Sequence, residues 1–98
     1  MTLIVKVHDS QRGKIVCITD SSLIGKKVEE GNKQLDFSSN YYKGEQKPVE
    51  IVEKMLTSAY IAVFSGQESV ALGKRLGIIE EKTVLVVDGV PHAQCLIG

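Results

Sequence analysis

The chain has 98 residues, 43% of them hydrophobic, with twelve basic and twelve acidic side chains. That is enough apolar material for one domain with its own core, residues 1–98, and too little length for a second. A formal net charge of zero excludes a strong overall pull toward nucleic acid or an anionic membrane, so any such binding must come from a local patch.

The opening stretch Met1 to His8 is apolar but short for a signal h-region, and it lacks a basic flank. No run approaches the roughly twenty apolar residues of a membrane helix. Cys17 and Cys95, the only cysteines, both fall in strand-like segments and read as free thiols of a reducing compartment. A soluble cytoplasmic domain follows as the expectation, with no membrane partner and no DNA.

In chain order, Leu3, Val5 and Val7 alternate with Ile4, Lys6 and His8, and Ile15, Cys17 and Thr19 alternate with Val16 and Ile18. This period of two predicts a hairpin of two strands around Asp9 to Gly13. Asp20, Ser21 and Ser22 offer a cap for a short helical turn that Gly25 ends. Residues 26–32 read as a charged connector, 33–37 as a third strand, and 38–44 as a polar loop. Pro48 suits a first helical position, and Val52, Met55, Leu56 and Ala59 then recur at the spacing of a buried helix face.

Tyr60 to Phe64 is an unbroken apolar run, as in a strand covered on both faces. Ser65 and Glu68 have the spacing of a capping box for a helix over about 67–76, which Gly77 closes. Thr83 to Val87 reads as a second fully apolar strand, and a tight turn at Asp88 to Pro91 leads into a last strand. The predicted order is ββ(α)βαβαββ. This is an α+β fold: a mixed sheet with terminal antiparallel hairpins, one βαβ crossover and two main helices packed on it.

Gly89-Val90-Pro91-His92-Ala93-Gln94 is the most distinctive segment, because Gly89 and Pro91 fix the backbone just before an imidazole and an amide. His92 and Gln94 are two apart and share one face of a strand, so together they can hydrogen-bond a ligand. The alternative is a turn whose His packs locally. Tyr41 and Tyr42 lie among Lys26, Lys27, Lys33, Lys43 and Lys47, a mixture suited to single-stranded RNA but diluted by Glu29, Glu30 and Glu45. The helix start at Ser65 to Gln67 has anion-binding character, yet there is no GxGxxG and no P-loop lysine. His8, Cys17, His92 and Cys95 are ligand types that zinc prefers, but His92 and Cys95 are three apart in a strand and point to opposite faces. Neither a metal nor a cofactor is expected, and no nucleophile with a neighbouring base is evident.

Taken together, Asp20 with Leu23-Ile24-Gly25-Lys26, Glu30-Gly31, Tyr42-Lys43-Gly44, Gly66 and above all the segment from Gly89 to Gln94 resemble an archaeal family known as domain of unknown function 424. Members of that family often carry an Asn in the strand before the Gly, where this chain has Ile61-Ala62-Val63-Phe64. The resemblance implies an archaeal cytoplasmic protein with a loose link to translation and RNA processing, and no catalytic residue carried over. The reading is therefore a non-catalytic binding module for RNA or a ribonucleoprotein partner, using Gly89, Pro91, His92, Gln94, Tyr41 and Tyr42. Two alternatives stand beside it: a small enzyme with Asp88 and His92 as an acid–base pair, and a structural subunit that docks a sheet edge on a protein partner.

Overall fold

A computed structural model describes residues 2–98. Eight strands and two helices follow one another as β1 (Thr2–Ser10), β2 (Gly13–Thr19), β3 (Lys27–Glu30), β4 (Lys33–Asp36), β5 (Glu45–Pro48), α1 (Val49–Leu56), β6 (Ala59–Ser65), α2 (Gln67–Arg75), β7 (Leu85–Val87) and β8 (Val90–Leu96), with 3-10 turns at Ser21–Leu23 and Glu81–Thr83. Six strands form one mixed sheet in the order β5-β1-β2-β6-β8-β7, and β3 and β4 form a separate hairpin. The expected α+β fold with antiparallel hairpins at both ends is observed. No helix among the described residues is long and apolar enough to cross a membrane.

Parallel pairing occurs between β2 and β6, whereas β8 runs antiparallel to both β6 and β7. The strands joined by α2 are therefore parallel, as expected of a crossover, but β8 is inserted between them. Both helices pack on one face of this sheet, hereafter the helix face. There Leu3, Val5, Val16, Ile18, Ala62, Phe64 and Ala93 of the strands meet Val49, Val52 and Leu56 of α1 and Val70 and Leu72 of α2. The alternation read in β1 and β2 and the spacing of Val52, Met55 and Leu56 in α1 have this single cause: each apolar stripe faces the same core, although Ala59, expected on that helix face, opens β6 instead.

Four expectations need correction. Residues 26–32 are more than a connector: Lys27–Glu30 pairs with Lys33–Asp36, and Val28 and Leu35 supply the inward side of the hairpin. Glu45–Pro48 forms a fifth strand along β1, so Pro48 ends a strand and Val49 is the first helical residue. The run toward Val87 is a short edge strand whose Leu85 and Val86, on opposite faces of the sheet, are both exposed. Finally, Ser65 and Glu68 form no capping box: Ser65 is the last residue of β6, and Gly66 occupies the cap position without a side-chain bond.

The cap of α2 comes instead from Asp20, at the end of β2. Its carboxylate accepts the backbone N–H of Glu68 at 3.0 Å and both the N–H and the hydroxyl of Ser69 at 2.8 Å. A side chain is thus drawn away from the short turn it was expected to cap and placed over a helix start 48 residues further on. Only glycine permits this. Gly66 has φ +106°, and a Cβ there would lie 2.3 Å from the Asp20 carboxyl carbon.

Candidate nucleic-acid interface

Of the sequence-predicted residues, His92, Gln94, Tyr41 and Tyr42 lie on the face of the main sheet opposite the helices, whereas Pro91 turns to the helix face and Gly89 lies in the turn before β8. Strand pairing sets the side chains of the opposite face in rows. One row runs Ile4, Thr19, Ser65, His92, Leu85 across β1, β2, β6, β8 and β7, and the next runs Lys6, Cys17, Val63, Gln94. Strands lie about 4.8 Å apart, so Gln94 stands about 10 Å from Cys17 across the intervening Val63.

Part of this face is covered. Leu35 and Phe37 of the hairpin region pack with Val87, flanked by Leu23, Val28, Tyr42 and Val90, as a second, smaller apolar cluster. The chain then crosses from there toward β5. Asp36 holds the start of the crossing by accepting the N–H and hydroxyl of Ser38, and these bonds keep its carboxyl below the usual carboxylate range. Tyr42 meets Phe37 edge-on at 4.8 Å between ring centroids and is half-buried. Its ring belongs to that cluster, whatever its hydroxyl does. Tyr41 differs. The residue is 39% exposed, and its ring stacks on His8 with centroids 4.5 Å apart and planes 14° from parallel, while His8 Nε2 lies 2.9 Å from the Tyr41 carbonyl. Partial burial, together with the Cys17 thiol facing its hydroxyl, pushes the Tyr41 pKa up to about 12. Burial likewise raises the Cys17 thiol, which is a poor nucleophile as a result.

The turn before β8 is Asp88-Gly89, with both residues at positive φ (49° and 79°) between the paired Val87 and Val90. This is the two-residue hairpin turn that Asp-Gly favours. It throws Pro91 onto the helix face and His92 and Gln94 onto the other, His92 half-buried and Gln94 exposed. The expected sharing of one face by His92 and Gln94 is what β8 provides. Asp88 and His92, however, form no acid–base pair. His92 Nδ1 is hydrogen-bonded to Ser65 Oγ at 2.9 Å, and the Asp88 backbone N–H donates to Glu30. Burial alone holds the His92 pKa below its ordinary value, so the ring is neutral at neutral pH.

Other chemistries fit the geometry poorly. Ser65 beside His92 is fully buried, out of reach of a substrate. The N–H groups at the start of α2 that would hold an anion are bonded to a carboxylate already, and its charge repels a second one. Cys95 packs toward the helix-face core while His8, Cys17 and His92 lie on the other face, which divides the zinc-type ligands between two sides. The pocket at the corner lined by Asp20, Ser22, Leu23, Gln67, Gly89 and Pro91 holds about 100 Å³, below the few hundred typical of cofactor sites. Sequence reasoning missed Ser65 as the partner of His92 and Lys6 as a neighbour on the same face. Only the register of β6 against β8, and of β1 against β2, brings them there.

A solved structure described as an uncharacterized conserved protein from Methanopyrus kandleri has the same fold, with a TM-score of 0.78 over 99% of this chain and 92% of that one, at 18% sequence identity. No curated protein matches the sequence. The model of a family described as protein of unknown function (DUF424) matches residues 7–97. Asp20, Leu23, Gly66 and the Gly89 to Pro91 turn, which carry much of the sequence resemblance, meet at one corner of the sheet, and the chain belongs to the DUF424 family.

Proposed function

We propose that this protein is a non-catalytic binding module that takes single-stranded RNA across the open part of the sheet face opposite the helices, in the cytoplasm and within a translation or RNA-processing complex. The observation that carries this reading is the Tyr41–His8 stack: an exposed aromatic platform laid over a sheet. Lys6 projects from β1 on the same face, and Gln94 and His92 stand across the sheet from it. Bases stack on such platforms largely irrespective of sequence, while an amide and an imidazole read their polar edges.

Catalysis is disfavoured by the burial of Ser65 and the separation of Asp88 from His92. Lys6 and Lys43 take part in no ion pair among the described residues and supply positive charge locally. A balanced chain still has little long-range attraction for RNA. The exposed Leu85, Val86 and Leu96 at the β7–β8 end suit a protein partner that would add that field.

Fluorescence anisotropy of a labelled oligouridylate with the full chain, titrated with salt, tests the reading. Affinity is expected to fall as salt rises, and Tyr41→Ala is expected to weaken it by about five- to a hundredfold, the range for one lost base stack. No binding at low salt, or binding indifferent to Tyr41→Ala, would refute it.

A further inference from the structure

The hydrogen bond between Ser65 and His92 has a direction that the surrounding atoms determine. Ser65 is fully buried, and its hydroxyl has one partner among the described residues, His92 Nδ1. The next hydroxyl along the same row, Thr19 Oγ1, is buried with no hydrogen-bond partner and so takes nothing from Ser65. Two arrangements remain. If Nδ1 carries the ring proton, it donates to Ser65 Oγ and the Ser65 hydroxyl hydrogen is stranded in the interior. If Nδ1 is bare, Ser65 donates to it and the ring proton sits on Nε2.

The far nitrogen is indifferent to the choice. His92 Nε2 makes no hydrogen bond within the protein, yet the one fully buried side-chain atom without a partner among the described residues is Thr19 Oγ1. Nε2 is therefore not sealed from solvent, and a water there can both donate and accept. The cost of stranding a buried donor falls on one tautomer only, and it is large enough to set their ratio at about fivefold or more.

We propose that Ser65 is a positioning residue that locks His92 as its Nε2–H tautomer, so that the open sheet face presents an imidazole N–H donor and recognises a hydrogen-bond acceptor, a phosphate or base carbonyl oxygen. The identity of that acceptor rests on the RNA reading above; the lock does not. Gln94, two residues along the same face and about 7 Å away, offers an amide to the neighbouring position of such a ligand.

Long-range proton–nitrogen correlation spectra of the nitrogen-15-labelled full chain near pH 7.5, with His92 assigned by comparison with His92→Gln, read the tautomer directly. The expected result is a protonated, pyrrole-type Nε2 and a bare Nδ1. A protonated Nδ1 would overturn the proposal, and this holds even where variants fail to fold. Ser65→Ala is expected to shift the Nδ1 resonance and to weaken oligouridylate binding several-fold, and Ser65→Thr, which keeps the hydroxyl, is expected to restore both. Ring resonances unchanged in Ser65→Ala would also overturn it. A wild-type chain that carries its proton on Nε2 but ignores oligouridylate keeps the lock and defeats the RNA reading.

Discussion

The two faces of the main sheet are built on different terms. On the helix face, strands and helices contribute apolar side chains at regular spacing to one continuous core around Phe64, Ile18 and Leu72. On the opposite face a four-residue-strand hairpin and one crossing segment cover only part of the surface, and the row beneath includes Thr19, Ser65 and His92. Thr19 buries a hydroxyl with no partner, which costs free energy, while Ser65 and His92 offset their burial only by bonding to each other. The comparison teaches where to look: stability is concentrated on one face, and the residues with chemistry to offer a ligand are on the other.

The sharpest way to break this contrast uses two phenylalanines that are both fully buried, Phe64 and Phe37. Phe64→Ala is expected to cost about 3–5 kcal/mol of global stability in urea denaturation, a large part of what a small domain possesses. Phe37→Ala is expected to cost less globally and to speed hydrogen exchange in the β3–β4 hairpin while the amides of β6 stay protected. Equal global losses without local opening would make the faces equivalent. Next in size, Asp20→Ala removes three hydrogen bonds from the start of α2 and is expected to cost about 2–3 kcal/mol, with faster exchange at Glu68 and Ser69. A neutral outcome would mean that the helix cap is dispensable. Smallest, Thr19→Val removes a buried hydroxyl with no partner and is expected to raise stability by about 1 kcal/mol. A loss instead would show that Thr19 does have a bonded role.

What was legible in the sequence follows the same division. Val52, Met55 and Leu56 declare α1 by helical spacing, and the apolar run into Phe64 declares β6 because that strand is covered on both faces. Leu35 and Phe37 on one face made β4 readable, but its partner β3 gave no such signal: Lys27, Glu29 and Glu30 are exposed, and Val28 alone makes no pattern. The polar β5 exists only through pairing with β1. For the site, the turn chemistry of Asp88-Gly89 and the alternation of His92 and Gln94 were readable locally. The Ser65 to His92 bond spans 27 residues and the Asp20 cap 49, and contacts of that range leave no trace in local spacing. The Ser65 and Glu68 spacing even suggested the wrong cap, because Gly66 clears room for a carboxylate that arrives from another strand.

That borrowed cap also orders events in time. A nine-residue helix without its own capping side chain is marginal in isolation. Asp20 leaves the ribosome long before Ser69, so its carboxylate stays hydrated until β6 has been synthesised and aligned beside β2. Formation of the first turn of α2 is then a report that the parallel pair has closed in register, and a chain with β2 and β6 slipped by one residue would carry Asp20 past the helix start and leave α2 frayed. The contact thereby ties the start of α2 to one register of β2 against β6, the same register that sets Thr19 beside Ser65, which stands beside His92.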